Sequence, residues 1–315
     1  MIQRRTVGIV GTGNVGVAAA YAIFMAGLAS EIILIDKDHR RAEGEAMDLM
    51  HGQAFAGRVT VRAGEYPDLE QAQVIVVTAG VSGQPGESRL ALLGRNARVF
   101  TQIVGELDRY SPESVLVIAS NPVDIMTWIT QQSSRRSPGL VIGTGTMLDT
   151  ARFRALIGDY YDVDPRSVHA TIIGEHGDSE VPLWSTATIG GISILNHAIL
   201  GKSFDRNAMD RLFEKVRTAA YEIIDRKGYT SSAIGLSIMR LVAAVFNDQQ
   251  SVLPVSRQVT GAYGIDNICL SIPSLVGNRG VQDALPPPLS QEEHEGIMNS
   301  ANILKQSLAD LERPK

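Results

Sequence analysis

The chain has 315 residues, long enough to bury two cores, and its 44% apolar and 20% charged residues are the balance of an ordinary water-soluble enzyme. Its formal charge of −5, with Lys and Arg spread rather than blocked, argues against nucleic acid or an anionic membrane surface as a partner and leaves local cations for small anions. The single cysteine, Cys269 in ICLSI, excludes an intrachain disulfide and reads as a small buried hydrophobe in a reducing, cytoplasmic compartment.

The opening MIQRRTVGIV runs into a strand with no signal-peptide pattern, and no apolar run reaches the roughly 18 residues of a membrane span. Thr6–Val10 predicts a buried strand, followed at once by Gly11-x-Gly13-x-x-Gly16 and a helix over residues 13–27. Gly11 permits a tight turn, Gly13 lets backbone approach a pyrophosphate, and Gly16 allows close helix–strand packing. The helix start, with Asn14 and Val15, favours the anion. The second strand, over 32–35, leads to Asp36, 20 residues past Gly16 (36 − 16), where a carboxylate binds ribose hydroxyls and repels a 2′-phosphate. NAD is therefore favoured over NADP, a preference softened by Arg40 and Arg41 in the helix over 40–50. Strands over 74–78 and 115–119 bring further positions for cofactor contact, Thr78, Ala79 and Gly80 after one and Ser120 and Asn121 after the other. A helix over 90–110 lies between them, and a strand over 140–142 closes the series. Such alternation implies right-handed crossovers and a doubly wound α/β parallel sheet.

After about Gly143 the rhythm changes to a helix over 147–160, β-like runs over 170–173 and 251–259, and helices over 205–226 and 231–246. Pro286, Pro287 and Pro288 then precede a last helix over 290–311. Residues 1–143 and 144–315 thus read as an α/β domain and an α+β domain, joined without a linker and sharing an interface where ligand sites lie. No internal repeat or low-complexity tract points to a solenoid.

The groups richest in chemistry are His176 in TIIGEHGDSE, Asp149 and Arg152 in GTMLDTARFR, Asn121 in ASNPVD and Arg89 in QPGESRL. Turning a carbonyl into an alkoxide requires a proton donor near neutral pH, a cation beside the oxygen and a forked cation for a neighbouring carboxylate. One His and two Arg match those roles on a 2-hydroxy acid. Singly each has a bland use: a structural His, a helix-surface pair at 149 and 152, an Arg starting a solvated helix. His39, His51, His197 and His294 read as solvated and lack metal-ligand spacing, so no metal site is expected.

GTGNVG, LIDKD, TAG, PGESR, ASNPVD, GTMLDTARFR, GEHGDSE, KGYTSSAIG and VLPVS, in this order across essentially the whole chain, resemble the L-lactate/L-malate dehydrogenase family. GTGT before the helix and KGYTSSAIG make the chain most similar to the L-lactate branch, and the short stretch before the first strand looks like the bacterial type. The resemblance implies a Rossmann NAD domain and an α+β substrate domain. It implies His176 as proton donor and acceptor, Asp149 orienting its imidazole, Arg152 binding the substrate carboxylate and Arg89 polarising the carbonyl as the loop 81–88 closes. Asn121 would bridge substrate and cofactor, and Thr230 with Ile234 would wall substrate and nicotinamide. It further implies a homotetramer with a place in glycolysis and fermentation. An allosteric anion site for fructose 1,6-bisphosphate between subunits would use Arg154 and His169.

The pattern breaks at Gly83, six before Arg89, where lactate relatives carry Gln and malate relatives Arg. Residues 81–88 hold no cation to pair with a second carboxylate, and Glu87 would repel one, so malate is disfavoured. Either Gln84 fills the vacancy and pyruvate/L-lactate is the substrate pair, or a roomier pocket admits longer 2-oxo acids. A broader L-2-hydroxyacid dehydrogenase and then a malate dehydrogenase are the alternatives within the enzyme class. A nucleotide-binding sensor without turnover is the alternative outside it, and the presence of His176, Asp149, Arg152 and Arg89 together speaks against it.

Overall fold

The first strand, β1 (Thr6–Val10), is buried at every position, as a strand covered on both faces must be. A computed structural model describes residues 5–81 and 89–312. After β1 come α1 (Asn14–Met25), β2 (Glu31–Ile35), α2 (His39–His51), the short α3 (Gln53–Ala56) and β3 (Thr60–Ala63). There follow β4 (Val74–Val77), α4 (Arg89–Tyr110), β5 (Val115–Ile118), α5 (Val123–Ser133) and β6 (Val141–Gly143). These six strands run parallel in the order β3-β2-β1-β4-β5-β6, the doubly wound arrangement. Its strand order reverses between β1 and β4, and the crevice beyond their C-terminal ends is where such sheets bind ligands.

The second half contains α6 (Met147–Tyr161), β7 (Val168–His169), β8 (Ile172–Ile173), β9 (Val181–Pro182), β10 (Thr188–Ile189) and β11 (Ile192–Ser193). It continues through α7 (Arg206–Lys227), α8 (Ser232–Phe246), β12 (Ser251–Thr260), β13 (Asp266–Gly277), β14 (Gly280–Ala284) and α9 (Gln291–Glu312). The expected strand over 170–173 is instead two short strands in different sheets: β7 joins β10 and β11, while β8 forms a hairpin with β9.

The parallel sheet also does not stop at residue 143. Antiparallel β12, β13 and β14 extend it to nine strands among the described residues, joined where Ser256 of β12 pairs with Gly143 of β6. Sequence patterning misses β13 and β14, since Pro273 interrupts the apolar run of β13 and faces Pro254 on β12. It also misses β3, an edge strand whose Arg62 is ion-paired with Glu31 and Asp68.

The period of two along each strand divides the core between the faces of the sheet. Val7, Ile9, Ile32, Leu34, Val74 and Val76 pack against α1 and α8, with Ile23, Ile238 and Leu241 among the buried partners. Val10, Ile33, Ile75, Val77, Leu116 and Ile118 pack under α4, α5 and α9, with Phe100, Met126 and Ile297. A third cluster lies in the second half around Phe153, Tyr161 and Met209, where Phe153 meets Trp184 edge-on at 4.7 Å between ring centres. Cys269 is buried on β13.

Candidate active site

The glycine loop sits at the C-terminal end of β1. Gly11 has a φ of +102°, a conformation L side chains rarely adopt, and its N–H donates to Ile35 O at 2.7 Å. A Cβ at Gly16 would fall 1.9 Å from Gly11 O and 2.8 Å from Thr78 Oγ, so no side chain fits between helix and turn. A Cβ at Gly13 would meet nothing within 4 Å, which leaves that backbone open on its outer side. Helix α1 starts at Asn14 without a side-chain cap, so its first N–H groups remain available to an anion.

Asp36 stands beside this loop. Its Oδ2 accepts from Thr12 N at 2.7 Å and Thr12 Oγ at 2.9 Å, and its Oδ1 from Asp38 N at 3.0 Å. Burial works to raise its pKa, but these hydrogen bonds and the charge of Arg41 hold it below the usual carboxylate value. Thr78 Oγ donates to Gly11 O at 2.7 Å, and Ser120 Oγ donates to Ala79 O at 2.5 Å. The turns Thr78 to Gly80 and Ser120 to Asn121 are thereby drawn to the glycine loop. Val15 and Ile234 are partly buried against one hydrophobic cluster, where α8 lies so close to α1 that a Cβ at Gly235 would be 2.7 Å from Ala18 O. Bare glycine backbone, free helix donors and a retained carboxylate suit a dinucleotide.

His176 occupies the loop of the β8–β9 hairpin, in which Ile173 pairs with Val181. Ser300 of α9 steadies this loop by accepting from Glu175 N at 2.6 Å. His176 Nδ1 lies 2.5 Å from Oδ2 of Asp149, a buried residue in the first turn of α6. The other oxygen of Asp149 accepts from Arg152 Nη1 at 2.9 Å, so one carboxylate bridges the imidazole and the guanidinium. The pair joins a buried Asp149 to a half-buried Arg152, so it is not the fully solvated surface pair that its helical spacing also allowed.

Burial alone would lower the His176 pKa, yet Asp149 by charge and hydrogen bond, with Asp124 and Glu180 behind it, raises it to about 9. For Asp149 burial pushes upward, and His176 and Arg152 outweigh it and hold the carboxyl below its ordinary value. An imidazole tied at Nδ1 keeps Nε2 for proton exchange, and Nε2 has no partner among the described residues.

Asn121 is exposed at the end of β5, and Thr230 is half-buried between α7 and α8. Arg89 is the first residue of α4. Its side chain, and Gly83, Gln84 and Glu87, lie outside the described residues. Arg154 Nε donates to Ala170 O at 2.8 Å, and burial lowers the pKa of its guanidinium. The exposed His169 on β7 is the chain neighbour of Ala170, so the two expected anion ligands lie on one part of the surface. Among the described residues no group of His, Cys, Asp or Glu is placed to hold a metal ion.

Two buried carboxyls escaped sequence reasoning. Asp124, the second residue of α5, accepts from His176 N at 2.7 Å through Oδ2. Burial raises its pKa to about 6. Glu180 follows the histidine loop and is buried, its Oε1 without a hydrogen-bond partner among the described residues. Burial first, then the charge of Asp149, raises its pKa to about 8. Asp124 stands in the first turn of a helix, where an acid reads as a complement to the helix dipole, and only tertiary packing reveals its other use.

Residues 5–143 match the NAD binding domain of lactate/malate dehydrogenases, and residues 146–313 match the alpha/beta C-terminal domain of the same proteins. The L-lactate dehydrogenase of Salinibacter ruber is 60% identical over 312 residues, covering 99% of each chain. That of Clostridium perfringens is 42% identical over 315 residues, again covering 99% of each. In structure, the chain is similar to the minor L-lactate dehydrogenase of Enterococcus mundtii in its ligands-bound form, with a TM-score of 0.95 and 43% identity over 99% of this chain and 100% of that one.

Proposed function

We propose that this chain, which belongs to the lactate/malate dehydrogenase family of NAD-binding oxidoreductases, interconverts pyruvate and L-lactate using NADH and NAD. The observation that carries the reading is the chain from His176 through the buried Asp149 to Arg152, which keeps a protonated imidazole beside a forked cation at neutral pH. The names of the relatives support the lactate assignment.

A bound nicotinamide would supply or remove the hydride, held by Gly11, Gly13, Asn14, Val15 and Gly16 at the pyrophosphate and by Asp36 at the ribose. Thr78, Ala79, Gly80, Ser120 and Ile234 would wall the same crevice. Arg152 has further N–H donors beyond the one given to Asp149, and these grip the substrate carboxylate. His176 Nε2 gives its proton to the carbonyl oxygen as charge develops there, and Asp149 stays ionised to hold the ring. In the opposite direction neutral His176 takes the hydroxyl proton. Reduction therefore draws on the enzyme below about pH 9 and oxidation on the form above it. Arg89 polarises the carbonyl, Asn121 bridges substrate and cofactor, and Thr230 flanks the substrate.

Gly83 favours a second reading, a dehydrogenase with room for longer 2-oxo acids. Specificity constants for pyruvate, oxaloacetate and 2-oxoisocaproate with NADH decide between them: pyruvate is expected to lead, and a lead for either other acid overturns the assignment. Tyr21, Met47, Phe55 and Leu236 expose apolar side chains on α1, α2, α3 and α8, Phe55 at 90%, which supports self-association into the homotetramer. Arg154 and His169 are the proposed ligands for fructose 1,6-bisphosphate.

A further inference from the structure

Asp124 has no part in the mechanism above, yet it is the group of the parallel sheet's own helices that reaches the proton donor. It is 2% exposed, and its Oδ2 accepts from the backbone N–H of His176 at 2.7 Å. Its Oδ1 and the hydroxyl of Ser256 are buried side by side, and the Ser256 hydroxyl helps to hold the Asp124 pKa down. Ser256 is the β12 residue that pairs with Gly143, so Asp124 stands at the seam of the sheet. Three residues earlier on the same turn is Asn121, at the mouth of the crevice.

We propose that Asp124 is a positioning residue for the proton donor: from behind the imidazole it holds the His176 backbone to the helix start that also presents Asn121. Asp149 sets the plane and tautomer of the ring, and Asp124 sets the place of its Cα. A charge-assisted bond in a water-poor setting is suited to this, because a shift of about 1 Å at a reacting group costs on the order of 100-fold in rate. The charged groups acting on His176 are Asp149 from α6, Glu180 from its own loop and Asp124 from α5, with Arg152 paired to Asp149 behind them. The groups facing Asp124 are His176, Glu175 and Cys269.

The inference rests on His176 being the donor. Asp124→Ala is expected to lower kcat for pyruvate by about 10- to 100-fold while NADH affinity, read by fluorescence, stays within about twofold. Asp124→Asn keeps an oxygen to accept from His176 N and turns its amide to the neighbouring Ser256 hydroxyl, so it is expected to restore most of kcat. It also removes a charge that favours imidazolium, so His176 is expected to titrate at lower pH. NMR titration of the His176 ring, assigned against His176→Gln, reads this effect with no substrate present. Wild-type turnover in Asp124→Ala, or a His176 titration that neither variant moves, overturns the proposal. A wild-type enzyme inactive on pyruvate overturns only the substrate assignment, because the NMR readout is unaffected by it.

Discussion

Asp149→Asn separates the charge of the buried pair from its shape. With the carboxylate in place His176 half-titrates at about pH 9; without it burial dominates, and the imidazole falls to its ordinary 6.5 or below. At pH 7.5 the protonated share of a group titrating at 9 is about 97%, and of one titrating at 6.5 about 9%, so protonation alone costs roughly tenfold in pyruvate reduction. One amide oxygen must then serve both His176 and Arg152, which two carboxylate oxygens now serve separately. The whole deficit is expected to be about 10²- to 10³-fold at pH 7.5 and about tenfold smaller near pH 5.5, where both imidazoles are charged. The assay is kcat/KM for pyruvate at saturating NADH from pH 5.5 to 9.5. A deficit constant across that range, or an alkaline limb still near pH 9, refutes the electrostatic account. Stability carries the same sign: because folding raises the His176 pKa, the pair's stabilisation is full below 6.5 and lost as pH climbs through about 9.

Glu180 adds to this trend, since its folded pKa of about 8 lies above its ordinary 4.5 and the unfolded chain sheds that proton first, so stability falls from pH 4.5 to 8. Glu180→Gln is expected to raise Tm at pH 8 by about 2–4 °C more than at pH 5, measured by calorimetry; an equal change at both pH values would mean the side chain is not held neutral. Gly16→Ala, whose Cβ would lie 1.9 Å from Gly11 O, is expected to weaken NADH binding by about tenfold or more in fluorescence titration, and unchanged affinity would show that the turn can open freely. Asp36→Ser is expected to narrow the preference for NADH over NADPH in the ratio of specificity constants; a wild-type preference for NADPH would hand control of that pocket to Arg40 or Arg41.

The first half of the fold was legible because strands buried on both faces appear as unbroken apolar runs, and the helix and strand ends fall within a few residues of their expected places. β3 was not, because an edge strand held by the ion pairs of Arg62 needs little apolar sequence. Nor were β13 and β14, which are strands by virtue of partners far away in the chain. In the site, the grouping of His176, Asp149 and Arg152 could be expected since their residue types are unusual together, and the structure brings those three into contact. The direction of Asp124 and Glu180 could not, because an acid in sequence is by default a solvated one, and only the packing of α5 and the β8–β9 hairpin removes both from water.

The seam between β6 and β12 bears on how modular such a protein is. A Cβ at Gly143 would lie 2.3 Å from Thr127 Oγ and 2.8 Å from the Cβ of Ser256, so those two side chains already fill the space that a side chain at 143 would need. A fragment ending at residue 143 would bare β6, an apolar strand with unsatisfied N–H and C=O groups, as a template for strands of other molecules. Chimaeras between relatives that exchange one half at this point inherit an edge shaped by someone else's residues, and those that carry β6, α5 and β12 across together keep it sealed.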